Sequence, residues 1–404
     1  MYNAAIIGIS GFGKIHYNDL KQQAENGVCR IVAATVINQD EEQEKCQWLT
    51  AHGAKLFTDW EEMLEEFSGQ IDVCFIPTGI AMHAPMSIKS MQTGANVFVE
   101  KPVTATIQEI REMEKVSAET GKFVAVGFQN IYQPDTQQLK QVLLNGKMGK
   151  LKCLKARGFW SRDSLYYGRN NWAGKLRNNG SWVLDSPFNN ALAHFLNMIC
   201  FLAGSEFRKS AALREINAEL YRANKIESAD TACIRAVTQD NVNILFYVTH
   251  AVTEQSPVYI EIECERGKVI FELDKSHIEL RMDDGTVETV PITPHSDYRR
   301  HVMDALEARL NNPAAFVCTL DIAAVHTLCV NGAHESSSIN EVPEEFIETV
   351  AEGDAVVTYI KNLTNIIIRA FDKNKLLSET GVKWAIPGDT VSLLNYNEFK
   401  GGKC

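Results

Sequence analysis

Over the first 127 residues, short and nearly continuous apolar runs alternate with amphipathic stretches. Residues 4–7, 30–34, 72–76, 96–99 and 123–126 have the length of strands and little polar alternation. Between them, residues 15–25, 42–51, 60–67, 84–91 and 107–119 space their apolar side chains as helices do. Strands that are apolar on both faces and separated by helices predict a parallel sheet covered on both sides.

After Tyr132-Gln133-Pro134 the pattern changes. A helix is predicted over 135–144, a strand over 151–159, a polar and aromatic loop through Arg177, and a helix over 189–202. Strands follow at 231–237, 242–249, 258–264, 268–272 and 278–281, with Asp283-Asp284-Gly285 as a hairpin turn. Helices are predicted over 298–310 and 320–334. Beyond residue 350 the chain reads as one helix to about 371 and an irregular tail. The expectation is an α/β protein with three parts: a dinucleotide-binding domain over 1–127, an α+β domain over 128–350 built on an open, mainly antiparallel sheet, and a C-terminal helix and tail over 351–404 packed on the body.

Composition narrows the function. A chain of 404 residues is long enough for two ordinary cores. Its 51 acidic against 40 basic side chains give a net charge of -11, and no basic run is long enough to neutralise a nucleic-acid backbone. The ten cysteines are scattered without a Cys-x-x-Cys pair, and several sit in apolar runs such as Asp72-Val73-Cys74-Phe75-Ile76. That usage fits buried thiols in a reducing compartment. There is no export-signal pattern and no run of eighteen apolar residues, so a cytoplasmic chain without membrane attachment is expected.

Candidate chemistry begins at Gly8-Ile9-Ser10-Gly11-Phe12-Gly13, between the first strand and the first helix. Glycines there let a pyrophosphate approach the backbone while N–H groups at the helix terminus point at it. Ser10 stands where the dinucleotide pattern has its middle glycine, with a side chain small enough to fit or to donate to phosphate. The tip of the second strand carries Asn38 rather than the acidic residue that clamps the adenosine ribose. Asn38 suits either nicotinamide cofactor, NAD or NADP, while Asp40, Glu41 and Glu42 tilt the corner towards NAD. Farther on, Asn96 to Val99 delivers Glu100-Lys101-Pro102, which fixes a lysine at a strand end where ligands cross a parallel sheet.

Gly8 to Gly13, His16, Thr78-Gly79 with His83, Glu100-Lys101-Pro102, Gly127-Phe128 and Pro134 together resemble the Gfo/Idh/MocA family of glucose–fructose oxidoreductases, inositol dehydrogenases and rhizopine-catabolism proteins. The resemblance covers roughly residues 2–345. It implies an N-terminal Rossmann domain that binds NAD or NADP, reversible hydride transfer at a secondary alcohol of a sugar, cyclitol or glycoside, and a homodimer or homotetramer formed through the C-terminal sheet. It assigns the cofactor to Gly8, Ser10, Gly11, Phe12, Gly13, Asn38, Thr78, Gly79, His83, Glu100 and Lys101, with His16 beside them. No catalytic metal is expected, because no third ligand accompanies His16 and His83 at zinc-site spacing.

The family's second signature is Asp-x-Gly-x-His, and Leu184-Asp185-Ser186-Pro187-Phe188-Asn189-Asn190 departs from it. Asp185 matches the aspartate, Pro187 replaces the glycine, and Asn189 replaces the histidine. An amide orients a hydroxyl but does not take its proton near neutral pH. The base is then either Lys101 or His194, five residues beyond Asn189 and on Asn190's face of a regular helix. Asp185 is either a site residue or the cap of that helix. Trp160-Ser161-Arg162-Asp163 and Tyr166 to Trp172 read either as a wall for a polyhydroxylated ring or as a small aromatic core. Two further functions stay open: redox-cycling cleavage of a glycoside with tightly bound NAD, and a sensor without turnover.

Overall fold

The computed structural model describes residues 1–403. Contacts divide the chain into a first unit of residues 1–104, 108–132 and 295–323, and a second of 105–107, 133–294 and 324 onward. In chain order the elements up to residue 126 are β1 (Tyr2–Ile7), α1 (Gly13–Glu25), β2 (Cys29–Thr35), α2 (Gln43–Ala51), β3 (Lys55–Phe57), α3 (Trp60–Glu66), β4 (Val73–Ile76), α4 (His83–Gln92), β5 (Asn96–Val99), α5 (Ile107–Thr120) and β6 (Val124–Val126). The six strands are parallel in the order β3-β2-β1-β4-β5-β6, the Rossmann order. β4 is buried at every position, as a sheet covered on both faces requires.

The rest of the chain forms α6 (Pro134–Leu144), β7 (Leu151–Phe159), α7 (Ser164–Gly168), β8 (Arg177–Asn178), β9 (Ser181–Trp182), α8 (Ala193–Leu202), β10 (Leu213–Arg222), β11 (Thr231–Thr238), β12 (Asn243–Thr249), β13 (Ser256–Cys264), β14 (Gly267–Glu272), β15 (His277–Met282), β16 (Val287–Pro291), α9 (Tyr298–Asn311), α10 (Leu320–Ser336), β17 (Ile339–Glu341), β18 (Ile347–Glu352), β19 (Ala355–Ile360), α11 (Leu363–Asp372) and β20 (Val391–Ser392). A ten-stranded sheet runs β16-β15-β14-β13-β7-β12-β11-β10-β17, with β20 also on β10. Only β7 with β12 and β10 with β17 are parallel, so the sheet is mainly antiparallel, as expected.

Several features depart from the sequence reading. The unit boundaries differ from 127 and 350 because α9 returns to the first unit, where Arg299 pairs with Asp19 of α1 at 2.5 Å. β3 was not foreseen, since three residues are too few to show a period. β10 was missed as well: Leu213, Ile216 and Leu220 fall at helix-like spacing among good helix formers. The expected long helix after 350 is instead the β18–β19 hairpin followed by α11. Gly353 turns that hairpin at φ +62, a conformation natural to glycine, and the β-branched residues of Ala355–Ile360 favour strand.

The second unit has an unusual internal anchor. Lys140 of α6 is fully buried, and its ammonium donates to the carbonyls of Phe201 (2.5 Å), Gly204 and Lys209 (3.4 Å). The Phe201 and Gly204 carbonyls lie at the C-terminus of α8, where the helix dipole favours a cation.

Candidate active site

The glycine loop is shaped by two left-handed glycines and one close approach. Gly8 takes φ +93 and Gly11 φ +55, both in the left-handed region. A Cβ on Gly13 would lie 2.5 Å from the Gly8 carbonyl oxygen, so only glycine lets α1 start this near β1. At Gly11 and Gly79 an added Cβ would meet nothing within 4 Å, and both turns border open space. α1 begins with neither a side-chain cap nor an acidic residue in its first turn. Its N–H groups and dipole therefore suit an anion placed against the loop.

Ser10 turns towards the tip of β2: its hydroxyl donates to Asn38 Oδ1 at 3.0 Å, and Asn38 Nδ2 donates to Glu41 at 2.7 Å. Sequence reading missed Lys45. Its ammonium donates to the Ile9 carbonyl at 2.9 Å and pairs with Glu42. The Lys45 hydrogen bond holds the Glu42 carboxyl below its usual pKa, so a cation offsets the acidic corner. The Glu42-x-x-Lys45 spacing on one helical face was the available signal.

β1, β4 and β5 are parallel neighbours, so the glycine loop, Thr78-Gly79 and Glu100-Lys101 leave the same edge of the sheet. His83 ties two of these turns together, with Nδ1 2.9 Å from the Pro102 carbonyl and Nε2 3.0 Å from that of Thr78. Burial pushes its pKa down, while the two carbonyls pull it up. Thr78 Oγ1 donates to Met86 Sδ at 3.5 Å.

Glu100 is the buried anchor of the lysine rather than an open ligand. Its Oε1 lies 2.8 Å from His16 Nε2 and 3.5 Å from Arg299 Nη1, and its Oε2 accepts from the Lys101 backbone N–H at 3.0 Å. Burial raises the carboxyl's pKa, but the His16 hydrogen bond and the charges of His16, Arg299 and Lys101 outweigh it and hold the group at about 2. A Cβ on Gly127 would sit 2.9 Å from Glu100 Oε1, which explains the glycine of Gly127-Phe128. Phe12, half exposed, meets the His16 ring edge-on at 5.9 Å. Arg299, nearly 200 residues downstream of Glu100, gave no sequence signal.

In the second unit, Asp185 Oδ2 accepts from the Gly174 N–H at 2.7 Å and Oδ1 from Asn190 Nδ2 at 2.8 Å. α8 starts at Ala193 with Leu192 before it, so Asp185 does not cap it. Asn189 and Asn190 precede the helix, which removes the shared helical face expected for Asn190 and His194. Asn189 Nδ2 donates to the carbonyls of Val183 and Leu184, both at 3.1 Å. Leu184 adopts φ +52, a strained conformation for leucine, and Asn189 clasps it. His194, half-buried, is the second residue of α8.

The aromatic segment stacks on its own arginines. Arg169 lies 3.6 Å from the Tyr166 ring centroid and 5.1 Å from that of Trp172, and Arg162 lies 4.8 Å from Tyr166. His250 packs edge-on to Tyr166 at 5.9 Å, and burial together with the Arg162 charge pushes its pKa down to about 3.

The sequence profile of the Gfo/Idh/MocA oxidoreductases, described as an NAD-binding Rossmann fold, matches residues 2–128. Residues 2–128 belong to the Gfo/Idh/MocA family. An uncharacterized oxidoreductase of Bacillus subtilis (strain 168), YrbE, is 25% identical over 235 residues, 55% of this chain and 61% of that protein. The same strain's scyllo-inositol 2-dehydrogenase (NAD(+)) is 34% identical over 80 residues, 20% of this chain and 23% of the relative. The match thus spans about three fifths of the first relative's length and under a quarter of the second's. The crystal structure of the WlbA dehydrogenase from Bordetella pertussis, in complex with NADH and UDP-GlcNAcA, superposes with a TM-score of 0.65 at 21% identity. It covers 82% of this chain and 95% of its own, a likeness of fold.

The glycine cradle and the uncapped start of α1 fit the pyrophosphate of the NAD that Gfo/Idh/MocA Rossmann domains bind. Gly13→Ala is therefore expected to weaken NAD binding at least about tenfold, because the new methyl group forces α1 away from Gly8. Calorimetric titration with NAD checks it, and an unchanged affinity would remove this loop from the cofactor site.

Proposed function

We propose that the chain is an NAD-dependent dehydrogenase that oxidises a secondary alcohol of a sugar or cyclitol, with Lys101 accepting the hydroxyl proton. The observation that carries this reading is the common sheet edge in the first unit: the glycine loop ends β1, the Thr78-Gly79 turn ends β4, and Lys101 ends β5. Ligands of open parallel sheets bind along that edge.

Bound NAD supplies the acceptor for the carbinol hydride. Lys101 Nζ takes the proton released from the hydroxyl, and its backbone is set by Glu100 behind it and by His83 through Pro102. In the second unit we assign Asp185 to substrate hydroxyls and Asn189 to positioning, since its amide holds the backbone just before Asp185. The half-exposed rings and guanidinium groups of residues 160–172 suit the faces and hydroxyls of a polyhydroxylated ring. The inositol relative and the sugar-nucleotide complex of the structural neighbour support the same substrate class.

Incubation with NAD or NADP across inositols, aldoses, glycosides and sugar nucleotides tests the proposal. Stoichiometric NADH with at least one of them is expected. Release of an aglycone without net NADH would replace it by redox cycling, and nucleotide binding without turnover on any substrate by a sensor.

A further inference from the structure

Asp185 sits in the middle of the stretch that joins β9 to α8. An aromatic residue stands three positions away on either side, Trp182 at the end of β9 and Phe188 before α8. The backbone between them is strained at Leu184, with φ +52, and such strain persists only where the surroundings over-determine it.

Trp182 is gripped from two sides. The Arg177 guanidinium lies 3.5 Å from its ring centroid, across the β8–β9 pairing. Phe399 meets the ring edge-on at 5.2 Å, and a Cβ on Gly401 would lie 3.5 Å from Trp182 Cζ2. Gly401 adopts φ +114, a conformation natural to glycine, which carries the chain past the indole.

Phe188 is fully buried and is held by two histidines of α10. Its carbonyl lies 2.9 Å from His326 Nε2, and its ring lies 5.8 Å from that of His334. Burial pushes the His334 pKa down to about 4, so the ring packed on Phe188 is neutral at neutral pH. Residues 399–403 reach this histidine too. The Lys403 N–H donates to the His334 carbonyl at 3.0 Å, and a Cβ on Gly402 would sit 3.2 Å from the same oxygen. The Lys400 N–H donates to the Glu335 carboxylate at 3.2 Å, which fastens the segment to α10 at a second point.

One short segment thus backs both ends of the Asp185 stretch, Trp182 directly and Phe188 through His334. The placement of Asp185 can be read from its partners, since its N–H donates to the Lys175 carbonyl at 2.9 Å and its Oδ2 accepts from the Gly174 N–H at 2.7 Å. We propose that residues 399–403 are a strap that positions Asp185, with Phe399 and Gly402 as its positioning residues, and thereby sets the affinity for the substrate hydroxyls that Asp185 binds. The effect on affinity rests on the sugar or cyclitol reading above, whereas the strap itself does not.

Phe399→Ala in the full chain removes the contact on Trp182. Hydrogen exchange at Gly174 and over 182–190 is expected to accelerate at least about tenfold, with β11, β12 and the NAD affinity of the first unit unchanged. Phe399→Leu, which keeps most of the apolar volume, should exchange as the wild type does. Gly402→Val pushes the segment off His334 and should loosen the same amides from the other end, and it serves also if Phe399→Ala does not fold. With the best substrate of the panel, Phe399→Ala should raise KM at least about tenfold and leave kcat within about threefold, the split expected when binding is lost equally from ground and transition states. Unchanged exchange at Gly174 and 182–190 overturns the strap. So does acceleration spread equally over β11 and β12, which marks a general loss of stability. Faster exchange with an unchanged KM overturns the link to the substrate. The exchange readings need no turnover, so they decide the strap even if no sugar or cyclitol is oxidised.

Discussion

Lys101→Met is expected to lower turnover at least about 100-fold while leaving NAD affinity nearly unchanged, because proton transfer by a placed side chain contributes about that much. Methionine keeps most of the length and apolar stem of lysine, so the change removes the proton acceptor with little loss of packing. Glu100, His16 and His83 hold the backbone on either side and remain in place. Steady-state rates with the best substrate of the panel, together with calorimetric binding of NAD, check both halves. Equal loss in rate and in NAD affinity would make Lys101 a cofactor ligand first. A wild-type rate that falls as pH drops through about 6.5, and that is abolished by His194→Ala but kept by Lys101→Met, would move the proton to His194.

Much of the first unit was legible because its signals are local. Apolar runs gave five of the six parallel strands, and Gly8 to Gly13 marked the turn that shapes the loop. What escaped depends on contacts far apart in sequence. Arg299 reaches Asp19 and Glu100 from a helix near residue 300, and nothing in Tyr298–Asn311 distinguishes a helix that returns to the first unit from one that stays in the second. β10 carries two overlapping patterns, since both of its faces are covered. Leu213, Ile216 and Leu220 read as helical, while Glu219 and Tyr221 face residues 378 and 386 of the tail.

The second signature shows the same limit at a finer scale. Its departures at Pro187 and Asn189 were visible in the sequence. Their structural consequence was hidden, because Asn189 acts on the backbone of Leu184, whose left-handed conformation no residue type announces. With proline and asparagine in the motif, the stretch from Ser186 to Leu192 forms turns, and α8 is delayed to Ala193. Asp185 is thereby held by Gly174 and Asn190 instead of by a helix end.

Glu100→Gln carries the largest expected stability loss. The glutamine keeps the shape but leaves His16, fully buried, and Arg299 without their carboxylate. Breaking one partner of a buried charge network costs about 3–5 kcal/mol, to be read from urea denaturation near pH 7. The acid limb gives an independent check. In the folded protein the carboxyl stays ionised down to about 2, whereas in the unfolded chain it takes a proton near about 4.3. Between those values the unfolded state binds more protons, so wild-type stability falls as pH drops through that window, by about 3 kcal/mol in all. Above it the contribution is fully present. Glu100→Gln should be less stable at neutral pH and should lack this part of the acid sensitivity. If the variant loses stability at pH 7 but its acid limb runs parallel to the wild type, the second acceptor oxygen of Glu100 rather than its charge anchors the strand end that carries Lys101.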